Sequence, residues 1–89
     1  MAKSVHTHTY KKFREILRLK RQEKGMSQTA LAKKLGEPQQ YVSRYETGER
    51  RLDVVQYFEV ASKLGFDPVE SLRGLYEFHD KRRTKQKRL

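Results

Sequence analysis

The sequence predicts an all-α fold of five short helices, and three observations carry that expectation. Glycines at Gly25, Gly36, Gly48 and Gly65 and prolines at Pro38 and Pro68 cut the chain into helix-sized lengths. Apolar residues within those lengths recur at i, i+3 and i+4. No stretch alternates apolar and polar residues for more than a few positions, as a half-buried strand would.

Each element has its own start and stop. Tyr10, Phe13, Ile16 and Leu17 share one helical face, and Gly25 suits the left-handed position after a helix end, so the first helix is expected over 10–24 behind a frayed leader, 1–9. Ser27 can cap the second helix, about 28–35, with Met26 and Leu31 as a hydrophobic staple. Pro38 suits the first turn of the third, which ends at Gly48 with Val42, Tyr45 and Glu46 facing inward. Asp53 and Gln56 form a capping-box pattern, and Leu52 can staple to Tyr57. The fourth helix then reaches Gly65 with Val54, Tyr57, Phe58, Ala61 and Leu64 on one face. Asp67, Pro68 and Glu70 open the fifth, where Leu72, Leu75, Tyr76 and His79 follow at i, i+3, i+4 and i+7. Leu72, Leu75, Tyr76 and Phe78 exceed what one small helix edge can bury, and part of them is a candidate dimer seam. The run KRRTKQKRL, 81–89, has one apolar residue and reads as a solvated basic tail, leaving 10–80 as the domain.

At 89 residues and 10.6 kDa, the chain has room for one small domain with a thin core. It contains no cysteine, which removes disulfides and thiolate chemistry. No apolar run approaches a membrane span, and MAKSVHTHTYKK lacks the apolar centre of a secretory signal, so a soluble intracellular chain is expected. The net charge of +10 is unevenly spread. Residues 1–25 carry +6 (eight basic, two acidic) and 81–89 another +6, whereas 52–80 carry −4 (two basic, six acidic). Such a chain presents one face to a polyanion and turns another away; nucleic acid leads, ahead of an anionic membrane surface.

Residues 28–47, QTALAKKLGEPQQYVSRYET, read as two short helices around a tight turn at Gly36, Glu37 and Pro38. A helix with a short polar face can enter the roughly 12 Å wide major groove. The third helix has one: with Val42, Tyr45 and Glu46 inward, Gln40, Ser43, Arg44 and Thr47 point outward, and Gln39 projects from its start. Gln can bridge adenine N6 and N7 and Arg can bridge guanine O6 and N7; the alternative is ordinary solvated side chains. Gln28, at the start of the second helix, can meet a phosphate together with free backbone N–H groups.

The segment resembles the helix-turn-helix of the phage-repressor and Cro superfamily, the XRE family, with Ala32 at the helix crossing, Gly36 at the turn, and Val42 and Tyr45 as anchors. The resemblance covers about residues 13–73, through EKGMSQ, PQQYVSRYETGERRLDVVQ and LGFDPVE, and is greatest to small bacterial single-domain regulators. It implies a five-helix lambda-repressor-like domain with the motif at helices 2 and 3. It places Gln39, Gln40, Ser43 and Arg44 at base-reading positions and, in the loop after helix 3, Arg50 and Arg51 at phosphates; Tyr41 is a weaker phosphate candidate through its hydroxyl. The family pattern also sets an Arg of helix 1, here Arg21, against a Glu near the end of helix 3, here Glu46, as a structural pair. Lys20 departs from the pattern, standing on the inward side of helix 1 where an apolar residue is usual, and its stem can snorkel.

The function implied is a sequence-specific double-stranded DNA-binding transcriptional regulator, a repressor by preference, acting as a homodimer formed in solution or on DNA. It is expected in the bacterial cytoplasm, at the nucleoid, without catalytic activity, cofactor, metal or small-molecule ligand. His6 and His8 lack a third metal ligand, and Glu70 and Glu77 have no nucleophile beside them. The alternative is an antitoxin-like interaction module that binds DNA together with a partner protein.

Overall fold

The computed structural model describes the backbone of residues 7–87 and the side chains of residues 7–81. Five helices follow one another: α1 (His8–Glu23), α2 (Gln28–Leu35), α3 (Gln39–Thr47), α4 (Val54–Leu64) and α5 (Pro68–Lys87). No strand occurs among the described residues. Among them, no helix is long and apolar enough to cross a membrane.

Local hydrogen bonds explain most boundaries. The Ser27 side chain accepts from Ala30 N at 3.0 Å and starts α2. The full capping box starts α4, with Asp53 accepting from Gln56 N at 2.7 Å and Gln56 accepting from Asp53 N at 2.9 Å. Thr7 caps α1 through its bond from Tyr10 N, so regular structure begins inside the segment expected as a leader. The rest of that leader, including His6, lies outside the described residues. Pro38 caps α3 from just outside the helix, with φ −65° and ψ 157°, instead of occupying its first turn. Its ring fixes φ, but the extended ψ ends the α2–α3 turn before helical geometry begins.

α5 continues to Lys87, into the run expected as a tail. Lys, Arg and Gln are good helix formers, no proline follows Pro68, and cations at a helix C-terminus favour its dipole. Residues 88–89 lie outside the described residues.

The core is built by α1 to α4: Phe13 and Leu17, Leu31 and Ala32, Val42 and Tyr45, then Tyr57, Val60, Ala61 and Leu64, all buried. Each fully buried aliphatic side chain contributes about 1.5–3 kcal/mol of transfer free energy. α2 packs on α3 and α4, while α5 lies against α1 and α4. Tyr10, Phe13, Tyr57 and Phe66 run as tilted ring contacts with centroids 5.4–6.2 Å apart. The Tyr57 hydroxyl donates to Pro68 O at 2.6 Å, tying α4 to the start of α5. Lys20 sits with its ammonium 5.6 Å over the Phe66 ring, which resolves its place on the inward side of α1.

Two expected core residues are not core. Val54 is 56% and Phe58 46% exposed, and Val60 takes the buried place. α4 is covered along Tyr57, Val60, Ala61 and Leu64, so the covered stripe is rotated away from Val54 and Phe58. On α5, Leu72 and Leu75 are partly buried against the chain's own core, whereas Tyr76 is 63% exposed.

Candidate nucleic-acid interface

The interface begins with the turn between α2 and α3. Gly36 holds φ +72°, and Glu37 N donates back to Ala32 O at 2.9 Å, which closes α2 tightly. Ala32, 1% exposed, lets α3 cross closely behind it. Val42 and Tyr45, both buried, then fix which face of α3 is turned in.

A polar network fastens that inner face. Arg21 donates to both carboxylate oxygens of Glu46, Nε to Oε2 at 2.7 Å and Nη2 to Oε1 at 2.9 Å, and its Nη1 donates to Met26 O at 2.8 Å. The hydrogen bonds it donates to Glu46 raise the Arg21 pKa above its ordinary value against the opposing effect of burial. Gln28 Nε2 donates to Glu46 Oε1 at 2.9 Å, and Gln39 Nε2 donates to Gln28 Oε1 at 2.8 Å. The pair named by the family pattern is thus present, but it belongs to a chain of four residues running from α1 to the first residue of α3. Gln28, expected at a phosphate, has its side chain engaged on both ends by this network.

The outer face of α3 is open. Gln40 and Arg44 are exposed and Ser43 is half-buried. Arg44 Nε lies 3.8 Å from Glu49 Oε1, a solvent-exposed pair worth under about 1 kcal/mol. Thr47 donates its hydroxyl to Arg44 O at 3.2 Å, within its own helix. Arg50 and Arg51 are exposed in the loop beyond. The Arg50 guanidinium stacks 4.7 Å over the Tyr41 ring, and burial raises the Tyr41 hydroxyl pKa while Arg50 pulls it down. Gln40, Tyr41, Arg44 and Arg50 border one open cleft of about 460 Å³ with Glu37 and Pro38. Among the described residues no group of His, Cys, Asp or Glu is placed to hold a metal ion.

Arg14 and Glu49 carry no role in the sequence reading. Arg14 Nη1 donates to Glu46 O at 3.3 Å, and a Cβ on Gly48, at φ +91°, would stand 2.8 Å from that nitrogen. Gly48 is therefore favoured by its left-handed backbone, and a side chain there would also have to displace the Arg14 guanidinium. The signal for Arg14 was its place beside Phe13, two helical turns before Arg21. Tyr10 likewise accepts from Leu52 N through its hydroxyl at 3.1 Å, anchoring the loop that carries Arg50 and Arg51.

Residues 17–71 match the helix-turn-helix family. Among solved structures, an XRE-family like protein from Pseudomonas syringae pv. tomato str. DC3000 is similar with a TM-score of 0.78 and 35% identity, over 84% of this chain and 92% of that one. No curated protein sequence gives a significant match.

Proposed function

We propose that this chain, which belongs to the XRE group of helix-turn-helix DNA-binding transcription regulators, acts as a repressor that reads the major groove of duplex DNA with α3. One observation carries this: α3 is held rigidly by Val42, Tyr45 and Glu46 while Gln40, Ser43 and Arg44 are left outward on its opposite side. The readers are Gln39, Gln40, Ser43 and Arg44. Gln39 comes to its base with one amide N–H already held by Gln28, which leaves its carbonyl oxygen and its second N–H to read with. Arg50 and Arg51 meet phosphates, Arg50 aligned by Tyr41; Gln28 meets a phosphate through backbone N–H groups at the start of α2 and through its second amide N–H, the first being held by Glu46.

The DNA-binding unit is 10–80, and the basic run 81–89 adds sequence-independent attraction. Two copies bind a symmetric site, each taking one half, in the bacterial cytoplasm at the nucleoid. A second reading, an interaction module that binds DNA with a partner protein, is supported by exposed Val54, Val55 and Phe58 on α4. Selection from a randomised duplex pool at physiological salt tests the main reading. A recovered consensus with two related halves is expected; recovery of unrelated sequences would end it.

A further inference from the structure

A second basic surface lies beside the motif. Lys11, Arg14 and Arg18 stand at i, i+3 and i+7 on α1, a stripe about 10 Å long at 1.5 Å per residue. With Lys12, they line an open groove of about 430 Å³ that Phe78 of α5 and Glu46 of α3 also border. The carboxylate of Glu46 is already neutralised by Arg21. Among the described residues lining the groove, Glu15 is the one further acidic group, and it lies 3.9 Å from Lys12 Nζ. The remaining balance is strongly positive.

Two of the cations are partly committed. Arg14 is bonded to the end of α3, and the Lys12 ammonium lies 5.6 Å over the Phe78 ring. Lys11 is exposed, and Arg18 spends one donor of five on Gln22 Oε1 at 3.3 Å, so both retain hydrogen-bonding capacity for a ligand. The stripe is long enough to meet two neighbouring phosphates of one strand. The groove also meets the last turn of α3 directly, through Arg14, Glu46 O and Gly48.

We propose that the α1 groove holds phosphates of the duplex outside the half-site that α3 reads, with Lys11 and Arg18 as its principal contacts. This rests on the DNA-binding reading of α3. It extends the footprint past the C-terminal end of that helix and makes affinity depend on flanking DNA whose sequence is not read. A continuous duplex is favoured over a separate polyanion because the groove borders Glu46 in the last turn of α3, the helix that reads bases.

The test uses the full chain and the duplex recovered from a randomised pool, once trimmed at the half-site edges and once extended by about ten base pairs on each side. Wild type should bind the extended duplex more tightly, with a steeper salt dependence. Lys11→Gln combined with Arg18→Gln should remove that gain and reduce the salt slope by about 1.8, for two phosphates, while keeping the preference for recovered over scrambled sequence. Glu15→Gln should tighten binding to the extended duplex by about two- to fivefold, a gain that no folding defect produces. The proposal is overturned if the double variant keeps the wild-type affinity and slope on extended duplex, or weakens equally on both lengths. Failure of base reading by α3 shows separately, as wild type that does not distinguish recovered from scrambled duplex at either length.

Discussion

Arg21 holds both carboxylate oxygens of Glu46, at 2.7 and 2.9 Å, across the junction of α1 with α3, and the two side chains are 10% and 3% exposed. A bidentate pair this well covered is costly to break from one side, because the remaining charge stays buried without its counterion. Glu46→Gln should therefore destabilise the fold by about 3 kcal/mol. Thermal unfolding without DNA should show a midpoint lower by roughly 10–25 °C. An unchanged midpoint would mean that the pair does not hold α3 in place.

Arg44→Ala and Gln40→Ala should each weaken binding to the selected duplex by about 1–3 kcal/mol while barely changing affinity for random DNA. Both side chains are exposed on the outer face of α3 and neither supports the core. Affinities for both duplexes at one salt concentration decide it. Equal weakening on the two would reduce these residues to phosphate binders.

Removing residues 81–89 should weaken every duplex alike and flatten the salt slope by about 0.9 for each phosphate no longer neutralised. The segment brings six basic residues and no acidic one. A truncated chain without its preferred sequence would show instead that this segment reads bases.

The Tyr45 hydroxyl is buried with no bonding partner among the described residues, and burial pushes its pKa far above the ordinary tyrosine value of 10.0. The folded state keeps that proton more tightly than the unfolded chain. Stability from this group is therefore intact below about pH 10 and falls as pH rises through that value toward the folded pKa. Tyr45→Phe should make the alkaline loss shallower, leaving the smaller share due to Tyr41 and Tyr57, which are also raised by burial. At neutral pH it should leave stability equal or higher by about 1 kcal/mol, since an unbonded buried hydroxyl is removed. Denaturant unfolding in neutral and alkaline buffer reads both; a clear loss at neutral pH would reveal a bond to the hydroxyl.

Assembly is best probed at Tyr76. Leu72 and Leu75 of the expected seam are partly spent on the monomer's own core, so a charge at Leu75 would disturb the fold as well as a dimer. Tyr76 is 63% exposed on the same helix, with Val69 at 62%. Tyr76→Glu should leave thermal stability near wild type and abolish two-to-one binding on a duplex whose half-sites lie about 34 Å apart. Sedimentation with and without that duplex measures it. Equal two-to-one complexes for variant and wild type would remove α5 from the seam.

The features legible in the chain before folding are local. Ser27, Asp53 with Gln56, and the glycines after α1 to α4 mark helix ends because capping and left-handed turns involve residues only a few positions apart. The helix-turn-helix was legible for the same reason, its turn and anchors lying within twenty consecutive residues. Arg21 with Glu46 was reached only through family resemblance, since nothing in composition or spacing joins residues 25 positions apart. Tertiary structure decided what depends on where a neighbouring helix lies. It left Val54 and Phe58 outward although their spacing matched a core stripe, turned Gln28 toward Glu46 and Gln39, and set Arg14 against Gly48. Helical spacing defines a face, but the crossing geometry of α1, α2 and α5 determines which part of that face is covered.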